Sequence, residues 1–581
     1  MKGKKSLLLL SLTLLATFVW GAGNRQQAAQ SARARPGDYS KPVSFSILAH
    51  FENAEPDGRW TDPVTRMLEE KFNITLEMIT VSDADAHTRL ATLLAADDLP
   101  DLFQIDDTLL STLLSTKKII NVDPYLKDYA PYSMSDKKQA PMMAYYRGSA
   151  YSPDGGLYVW GMNKGSWDNG LEPNFGFYIL WDAYKKAGYP KLDSFRDLPD
   201  ALEKMVAACP TSISGEKTYG AGYWYGEGQW GEQLMYWVLD PVGVSTPVDG
   251  YGGTFIIDLA NSTPVMYNNM TSINSPYWEN MWFFNKLYQK GLLDPDIVTM
   301  KHDEYSARVK DGRYMFATTA WNTSPANMGF SNIPGNERMY ISLPSFSHRT
   351  ENRFTNNFRG ERRYAISSKT KNPERIIEFL DYCSTYEFSL IASNGIEGKN
   401  WTRVNGRPTP TTEYLRSDRS DKVFMRATGT RIYRFNSGYA DGAIDPVSGV
   451  PMDLYFFSDE SMQARMNNTL KDFIAHYGKS SQREVYESQA AITTGYNLLS
   501  FGTPPDDIKS YIDDLSAYRL KNFLKVVMAK DDTDFVRQRD AFIAGMADYH
   551  PERIWQYYND EAAKQTAQVS NLMNLIEDSN Q

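Results

Sequence analysis

Two adjacent carboxylates, Asp106 and Asp107, directly follow the short apolar segment 102–105. This segment comes after Pro100, which ends a stretch with leucines at helical spacing, so it is predicted to be a strand. Ligands of open α/β sheets bind in the loops at the carboxyl ends of strands, and carboxylate oxygens accept hydrogen bonds from hydroxyl groups. The pair is therefore a candidate recognition site. A solvated turn is the alternative, and it is the more common role of such a segment considered alone.

A second candidate is the stretch "GYWYGEGQWGEQ", which contains glycines at the G-x-G-x-x-G spacing, namely Gly226, Gly228 and Gly231. A dinucleotide site is disfavoured, because that motif belongs in the first loop of a βαβ unit and Glu227 would face the pyrophosphate. A glycine-rich loop that lets aromatic side chains approach a ligand fits better. The rings and the amide of this stretch are Trp224, Tyr225, Gln229 and Trp230.

Other chemistries find little support in the residue pattern. The six histidines lack the spacing of a zinc site, and neither G-x-S-x-G nor a Walker A motif is present. Asp294 and Asp296 lie in "DPDIVTMKHDE", which lacks the sixth-position glycine of an EF-hand loop. The 71 acidic residues make a hydrolase with two catalytic carboxylates conceivable, but nothing in the sequence selects a pair. We therefore predict no catalytic residues, no metal and no cofactor.

The elements that must position these side chains alternate along the first hundred residues. "PVSFSILAHF" reads as a strand, and the helix after it has Asp62 as N-cap and Pro63 at its first position. "ITLEMITV", a helix through Ala96 and "DLFQI" continue the pattern. This alternation predicts a parallel sheet covered by helices, with its carboxyl-end loops opening to one side.

Length and charge limit the class of protein. A chain of 581 residues with 42% hydrophobic residues exceeds what one core usually supports, so two lobes or more are expected. The formal net charge of -10 argues against a nucleic-acid partner or an anionic membrane surface. Cys209 and Cys383 each lie in an apolar helical context, which favours two buried thiols.

The N-terminus has the three-part pattern of a secretory signal peptide. Three lysines precede the apolar run 7–20, and small residues follow it. We expect residues 1–23 to form the signal peptide and residues 24–40 a disordered leader. No cysteine follows the apolar run, so we expect an exported, soluble protein, periplasmic or extracytoplasmic, without an encoded lipid anchor.

An ordered set of stretches carries a family resemblance. In chain order they are "LATLLAADDLPDLFQI", "KKIINVDPYLKDYAP", "GGLYVWGM", "WDAYKKAGYPKLDSFRDLPDALEKM", "LYQKGLLDPDI", "VKDGRYMFATTAW", "SKTKNPERIIEFLDYC" and "NGIEGKNW". Together they resemble the extracellular solute-binding proteins of carbohydrate ABC importers, and most closely the large subgroup that accompanies oligosaccharide utilisation. The resemblance covers most of the mature chain.

The resemblance implies an α/β, two-lobed periplasmic-binding-protein fold, in which each lobe is a mainly parallel sheet covered by helices and crossing hinge segments join the lobes. We expect lobe one to comprise residues 41–158 and 346–400, and lobe two residues 159–345 and 401–581. The first crossing is expected near residues 157–162 and the return between residues 340–346 and 356–367. A third crossing is expected past Glu397.

The resemblance also implies the function. The protein would capture a sugar or oligosaccharide in an inter-lobe cleft and, acting as a monomer, deliver it to the membrane permease subunits of an ABC importer. An exported glycoside hydrolase and a carbohydrate-binding surface protein without a transport role are the alternatives.

Ligand-binding side chains are implied in both lobes. The resemblance places a ligand-binding carboxylate on the loop of Asp106 and Asp107, and a tryptophan that stacks on a sugar ring at Trp321; a tryptophan that plugs the lobe is the alternative there. Glu397 resembles a structural motif of the family and is not expected to contact ligand. The full candidate set is Asp106, Asp107, Trp160, Trp224, Gln229, Trp230, Trp321 and Arg359, with Trp401 as a further possibility for which packing is at least as good an explanation.

Overall fold

The structure is a computed structural model. It describes residues 35–50, 57–81, 85–148, 150–165, 175–228, 230–232, 245–247, 255–258, 265–268, 270–344, 346, 349–351, 360, 362–419, 421–488, 491–493, 499, 501 and 504–580. The expected signal peptide and the candidate ligand residues Gln229 and Arg359 lie outside these ranges.

Within the ranges described, the strands form two principal sheets and three small ones. They are β1 (Val43–His50), β2 (Ile74–Val81), β3 (Leu102–Gln104), β4 (Trp160–Met162), β5 (Phe175–Leu180), β6 (Ser245–Pro247), β7 (Phe255–Asp258), β8 (Val265–Asn268), β9 (Phe316–Thr319), β10 (Tyr340–Leu343), β11 (Arg349–Glu351), β12 (Arg362–Ile366), β13 (Trp401–Val404), β14 (Arg407–Pro410) and β15 (Ala491–Thr493).

Helices surround both sheets and continue to the C-terminus. They are α1 (Pro63–Phe72), α2 (Ala86–Ala95), α3 (Asp107–Ser115), α4 (Asp123–Tyr129), α5 (Pro131–Ser135), α6 (Gln139–Tyr146), α7 (Trp181–Lys186), α8 (Leu198–Ala208), α9 (Pro276–Gln289), α10 (His302–Lys310), α11 (Ala320–Ser331), α12 (Pro373–Cys383), α13 (Tyr386–Asn394), α14 (Thr412–Arg416), α15 (Lys422–Thr428), α16 (Leu454–Phe457), α17 (Asp459–Ala464), α18 (Asn468–His476), α19 (Gln482–Glu487), α20 (Asp506–Val527), α21 (Asp532–Gly545), α22 (Pro551–Lys564) and α23 (Thr566–Asn580).

The first sheet has the order β2-β1-β3-β12-β4. Strand β1 pairs in parallel with β2 and β3, which confirms the parallel sheet predicted from the alternation of strands and helices. The predicted helix start is also confirmed, because the carboxylate of Asp62 accepts hydrogen bonds from the backbone N–H groups of Val64 and Thr65. Since β1, β2 and β3 run in one direction, the loops that follow them lie at the same edge of the sheet.

The second sheet has the order β10-β5-β9, and both of its pairings are antiparallel. The expectation of a mainly parallel sheet was therefore wrong for this lobe. In the first sheet, too, β12 runs antiparallel to its neighbours β3 and β4. The chain enters the second sheet through β5, the central strand, and β5 runs opposite to the two strands that flank it. The fold is accordingly α/β with mixed sheets.

Among the described residues, the two largest apolar cores correspond to the two lobes. The first contains the buried faces of β1–β4 and β12, and the second contains those of β5, β9 and β10. The packing does not follow the expected boundary at residue 400. Residues of 401–454 belong to the first core, residues of 470–558 belong to the second, and Leu572 and Ile576 return to the first. Direct contacts attach residues 401–454 to the first lobe. For example, the hydroxyl of Tyr433 lies 3.0 Å from the hydroxyl of Thr65 on α1.

Part of the expected disordered leader is ordered in the structure. The backbone N–H of Gly37 donates a 2.7 Å hydrogen bond to the carboxylate of Glu378, and the ring of Tyr39 lies beneath the guanidinium of Arg375. Residues 37–39 therefore pack against α12. The polar composition of the leader predicts disorder and does not reveal this contact.

The two cysteines are free and buried, as predicted from their apolar context. Within the part of the chain that the structure describes, no helix is long and apolar enough to cross a membrane.

A buried lysine lies directly after β4, where the chain leaves the first sheet. Lys164 is 2% exposed, and its ammonium lies 4.6 Å from the centre of the Tyr439 ring. The phenol of Tyr439 donates a hydrogen bond to Asp136. Burial lowers the pKa of Lys164 to about 8, although the nearby carboxylates of Asp136 and Asp381 oppose the shift.

This lysine makes stability depend on pH in a defined direction. Between about pH 8 and the unfolded value of roughly 10.4, the unfolded chain binds a proton at Lys164 that the folded protein has released, so stability rises with pH. We expect the Lys164→Met variant to lack this rise, which amounts to roughly 3 kcal/mol. Urea unfolding of both proteins from pH 7 to pH 10 measures it, with the exposed Lys127→Met as control. A stability difference between Lys164→Met and wild type that is independent of pH would contradict the prediction.

Candidate functional site

Asp106 lies at the carboxyl end of β3 and caps helix α3. Its carboxylate accepts hydrogen bonds from the backbone N–H and the hydroxyl of Thr108, at 2.8 and 2.5 Å. Its other oxygen lies 2.9 Å from Nδ1 of His87 on α2, the helix that follows β2. Burial would raise the pKa of Asp106, but the hydrogen bonds from Thr108 and His87 outweigh it and lower the pKa. The group is therefore an ionised acceptor with a structural role, and its side chain remains 27% exposed.

Asp107 forms an ion pair with Arg363 on β12. The two residues face each other because β12 pairs with β3, and the backbone N–H of Ile105 donates to the carbonyl of Arg363 at 2.9 Å. Burial would lower the pKa of the guanidinium, but the carboxylate of Asp107 raises it. Both side chains keep a partly exposed surface, 42% for Asp107 and 28% for Arg363. This edge of the first sheet therefore presents two carboxylates, a guanidinium and an imidazole.

Sequence reasoning missed His87 and Arg363. His87 lies on α2 after β2, a strand that β1 separates from β3. Arg363 lies on β12, which neighbours β3, but this pairing joins residues more than 250 positions apart. The signal lies in the stretch "NNFRGERRYAIS", which marks the end of the expected return crossing and contains one arginine pair, Arg362 and Arg363.

Trp321 lies where it was predicted, just beyond the end of β9 and in the first turn of α11. Its ring is half-buried and meets the ring of Phe175 edge-on, with 5.1 Å between the ring centres. Phe175 opens β5 and pairs with Thr319 in the sheet. The side chain thus combines a packed edge with exposed surface.

Trp230 is the most exposed aromatic side chain of the glycine-rich stretch, at 39%. Its ring packs against Trp224 and His302, with centre distances of 5.6 and 4.9 Å. Trp224 itself is completely buried and stacks on Tyr223 at 4.5 Å. Trp224 is therefore a core residue that supports Trp230, and we withdraw it from the candidate ligand contacts.

The structure brings the loop of Trp230 and the end of β9 to the same end of the second lobe. Tyr219 and Tyr314 form a parallel β-bridge. The two segments of the chain that contain them therefore continue side by side, one toward Trp230 and the other toward Trp321. The hydroxyls of Tyr223 and Thr318 lie 2.7 Å apart further along. Neighbouring parallel segments end at one edge, as in the first sheet.

A chain of polar side chains also connects the two tryptophans. His302, which packs on Trp230, lies 3.4 Å through Nε2 from the hydroxyl of Ser306, one turn later on α10. Ser306 donates a 2.6 Å hydrogen bond to the side-chain oxygen of Asn322, the residue after Trp321. The Asn322 amide donates in turn to the Thr319 hydroxyl at 2.7 Å. The two aromatic side chains therefore have a common rigid support.

The glycine-rich spacing has a packing explanation. A side chain at Gly231 would lie 2.1 Å from the carbonyl oxygen of Trp224, and Gly228 has a φ of +67°. Both positions therefore require glycine for close approach and backbone conformation. The segment does not follow the first strand of a βαβ unit, which agrees with the rejection of a dinucleotide site.

The acidic stretch at Asp294 and Asp296 surrounds an arginine. Arg308 lies 2.6 Å from Asp294 and 2.7 Å from Asp296, so both carboxylates are paired with its guanidinium. Among the described residues no group of histidine, cysteine, aspartate and glutamate side chains could hold a metal ion.

Residues 53–387, more than half of the chain, match the family model described as bacterial extracellular solute-binding protein. The chain belongs to this family. The resemblance found in the ordered sequence motifs is thereby confirmed.

One relative of this solute-binding protein is the lipoprotein LipO of Bacillus subtilis (strain 168), which is 21% identical over 371 residues. The match covers 59% of this chain and spans 65% of the relative's length. Because LipO is a lipoprotein by name, it gives no support to the expected absence of a lipid anchor.

Solved structures show the two-lobed fold. The alginate-binding protein AlgQ2 without calcium ion has a TM-score of 0.59 and 16% sequence identity, and the match covers 91% of this chain and 100% of that one. The Streptococcus pneumoniae ABC-transporter substrate-binding protein FusA, as an EF-hand mutant with fructo-nystose, has a TM-score of 0.58 and 16% identity, with 91% of this chain and 100% of that one covered. An HMO-binding solute-binding protein from Bifidobacterium longum infantis has a TM-score of 0.59 and 13% identity, with 90% of this chain and 98% of that one covered. At these identities the likeness concerns the fold.

Two further tryptophans of the solute-binding protein are core residues. Trp160 on β4 is 2% exposed and donates a 3.1 Å hydrogen bond to Ser384. Trp401 is also 2% exposed and donates to the carbonyl of Gly395 at 2.8 Å. We therefore withdraw Trp160 from the candidate ligand contacts and assign Trp401 a packing role. Glu397 forms an exposed ion pair with Arg403 at the same turn.

Proposed function

We propose that the protein captures a sugar or oligosaccharide between its two lobes and delivers it to an ABC importer. The observation that carries the proposal is the placement of Trp230 and Trp321, partly exposed, at one end of the second lobe. A flat aromatic ring suits the C–H face of a sugar. The first lobe contributes Asp106 and Asp107, whose carboxylates accept hydrogen bonds from hydroxyls.

The proposed site adds His87 and Arg363 to these four residues. Both contact the carboxylates of the first-lobe loop, and imidazole and guanidinium N–H groups donate hydrogen bonds to sugar hydroxyls. Gln229 and Arg359 remain candidates on sequence grounds alone. The named ligands of the structural neighbours, alginate and fructo-nystose among them, support a carbohydrate ligand.

A thermal-shift screen tests the ligand class. A ligand that binds only the folded protein raises its melting temperature by mass action. We expect at least one member of a panel of kestose, nystose, maltotriose, alginate trisaccharide and N-glycan fragments to raise it, with stoichiometric binding and no cleavage products. Release of shorter sugars would support the glycoside hydrolase instead. Tight binding by a protein that no permease accepts would favour the surface protein without a transport role.

Ligand is expected to close the two lobes. Hinge closure around ligand is the known motion of periplasmic binding proteins, and ligand favours the closed state by its greater affinity for it. The crossings between β4 and β5 and between β10 and β12 are the proposed hinges. Small-angle scattering with and without a saturating hit from the panel should show a smaller radius of gyration with ligand. An unchanged radius would count against the hinge.

The partner for delivery would be the permease subunits of the importer, reached by a monomeric protein outside the cytoplasm. Export follows from the signal-peptide pattern of residues 1–23. We expect the mature chain to begin at Ala22 or Asn24. Mass spectrometry of the exported protein checks this, and an intact Met1 or a lipid adduct would contradict it.

A further inference from the structure

Glu232 and Arg519 form an ion pair that is completely buried. Both side chains are 0% exposed, and Nε of Arg519 lies 2.7 and 2.8 Å from the two carboxylate oxygens of Glu232. Arg519 lies on α20, 287 residues along the chain from Glu232. Removing two charges from water is costly, so a pair in this position calls for an explanation beyond stability.

The same helix holds the other end of the segment that contains Trp230. The hydroxyl of Tyr225 donates a 2.5 Å hydrogen bond to the carbonyl of Leu520, and its ring stacks on Phe523 at 5.7 Å. Trp230 thus lies between two anchors, Tyr225 and Glu232, that both attach to α20. The Trp230 ring packs on Trp224 and His302 but remains 39% exposed, so its orientation also depends on how these two anchors hold the backbone that carries it.

We propose that α20 positions the ligand-binding tryptophan: Arg519, through Glu232, fixes the orientation of Trp230. The inference rests on the proposed function, in which Trp230 contacts the carbohydrate. Arg519 lies outside residues 53–387, the part matched by the family model. Ligand affinity then depends on a positioning residue in the C-terminal third of the chain.

The test replaces both charges together, because a single replacement would leave one buried charge unpaired. In the double variant Glu232→Met/Arg519→Met, apolar side chains of similar volume fill the space. The reporter is the ¹⁹F NMR resonance of 5-fluorotryptophan at position 230, assigned by its loss in Trp230→Phe. We expect a folded protein whose Trp230 resonance is shifted or broadened, with increased acrylamide quenching, and at least fivefold weaker binding of the saccharide that gives the largest thermal shift in the panel.

Two further variants keep the test decisive. Arg519→Lys retains the charge and should fold, but it lacks the Nε contact and should shift the Trp230 resonance partially. Asn285→Ala removes the hydrogen bonds to the carbonyls of Val527 and Ala529 at the far end of α20, and it should leave the resonance unchanged.

The outcomes separate the inference from the proposed function. If the double variant and Arg519→Lys both fold and both keep the wild-type Trp230 resonance, the inference is wrong, and the proposal of carbohydrate binding is unaffected. Wild-type protein that binds no saccharide of the panel would refute the proposed function, and the resonance would still decide whether α20 positions Trp230. If Trp230→Ala leaves affinity unchanged, the inference is wrong as a statement about ligand binding.

Discussion

Replacing Arg419 with methionine is expected to destabilise the protein by about 3–5 kcal/mol, because it leaves a buried carboxylate without its main partner. Arg419 makes two parallel hydrogen bonds to Asp453, at 2.8 and 2.5 Å, and the two side chains are 6% and 0% exposed. The guanidinium also lies 4.1 and 4.5 Å from the ring centres of Phe456 and Tyr455. The nearest remaining cation, Arg431, is 3.8 Å from the carboxylate and does not replace the paired geometry.

Asp453 has a second role that makes the loss more severe. Its carboxylate caps α16 by accepting hydrogen bonds from the backbone N–H groups of Tyr455 and Phe456. Without Arg419, this buried carboxylate is left poorly solvated and without its bidentate partner at the start of the helix that it caps. The region affected is the part of residues 401–454 that packs on the first lobe.

The matched control is the same substitution in an exposed pair. Arg537→Met removes an arginine that is 71% exposed and pairs with Asp534 within one helix, so a change of less than about 1 kcal/mol is expected. Urea unfolding measures both variants. If Arg419→Met lowered the free energy of unfolding no more than Arg537→Met does, the buried pair would contribute no more to stability than an exposed pair, which would contradict the prediction.

The parts of the fold that could be predicted from the sequence depend on local signals. The alternation of strands and helices from β1 to β3 follows from hydrophobic periodicity, and the start of α1 follows from Asp62 and Pro63. The positions of Asp106 and Trp321 immediately after strands are equally local, and both were located correctly.

What could not be predicted depends on contacts between distant residues. A tryptophan looks the same in the sequence whether its ring faces ligand or core, so Trp160, Trp224 and Trp401 could not be separated from Trp230 and Trp321. Only the packing of Trp224 against Tyr223 and Tyr305 shows which ring is inside.

Long-range charge pairing was equally invisible. The partners Asp107 and Arg363 are 256 positions apart, and Glu232 and Arg519 are 287 apart. The direction of β5 and the attachment of residues 401–454 to the first lobe also depend on tertiary contacts. The short helices of that segment carry no strand pattern that would assign them to either sheet.

Replacing Trp321 or Trp230 with alanine is expected to weaken carbohydrate binding by roughly tenfold to a hundredfold. Each change removes a large flat apolar surface from the sugar, which corresponds to about 1–3 kcal/mol of binding free energy. The effect on folding should be smaller. Trp230 is 39% exposed and Trp321 is half-buried, whereas truncation of a fully buried tryptophan typically costs about 3–5 kcal/mol of stability.

The control for both variants is Trp282→Ala, a half-buried tryptophan on α9 whose ring is covered by the guanidinium of Arg196 at 3.9 Å. It removes a similar side chain from the second core away from the strand ends, and we expect unchanged affinity per folded molecule. Titration calorimetry beside the melting temperature compares the three proteins.

Because Trp230 and Trp321 share the support of His302, Ser306 and Asn322, their double variant should lose less affinity than the sum of the single variants if one replacement loosens the other ring. A large loss of stability with unchanged affinity in Trp321→Ala would show that this ring is part of the core, which would leave Trp230 as the sugar-facing ring of the second lobe.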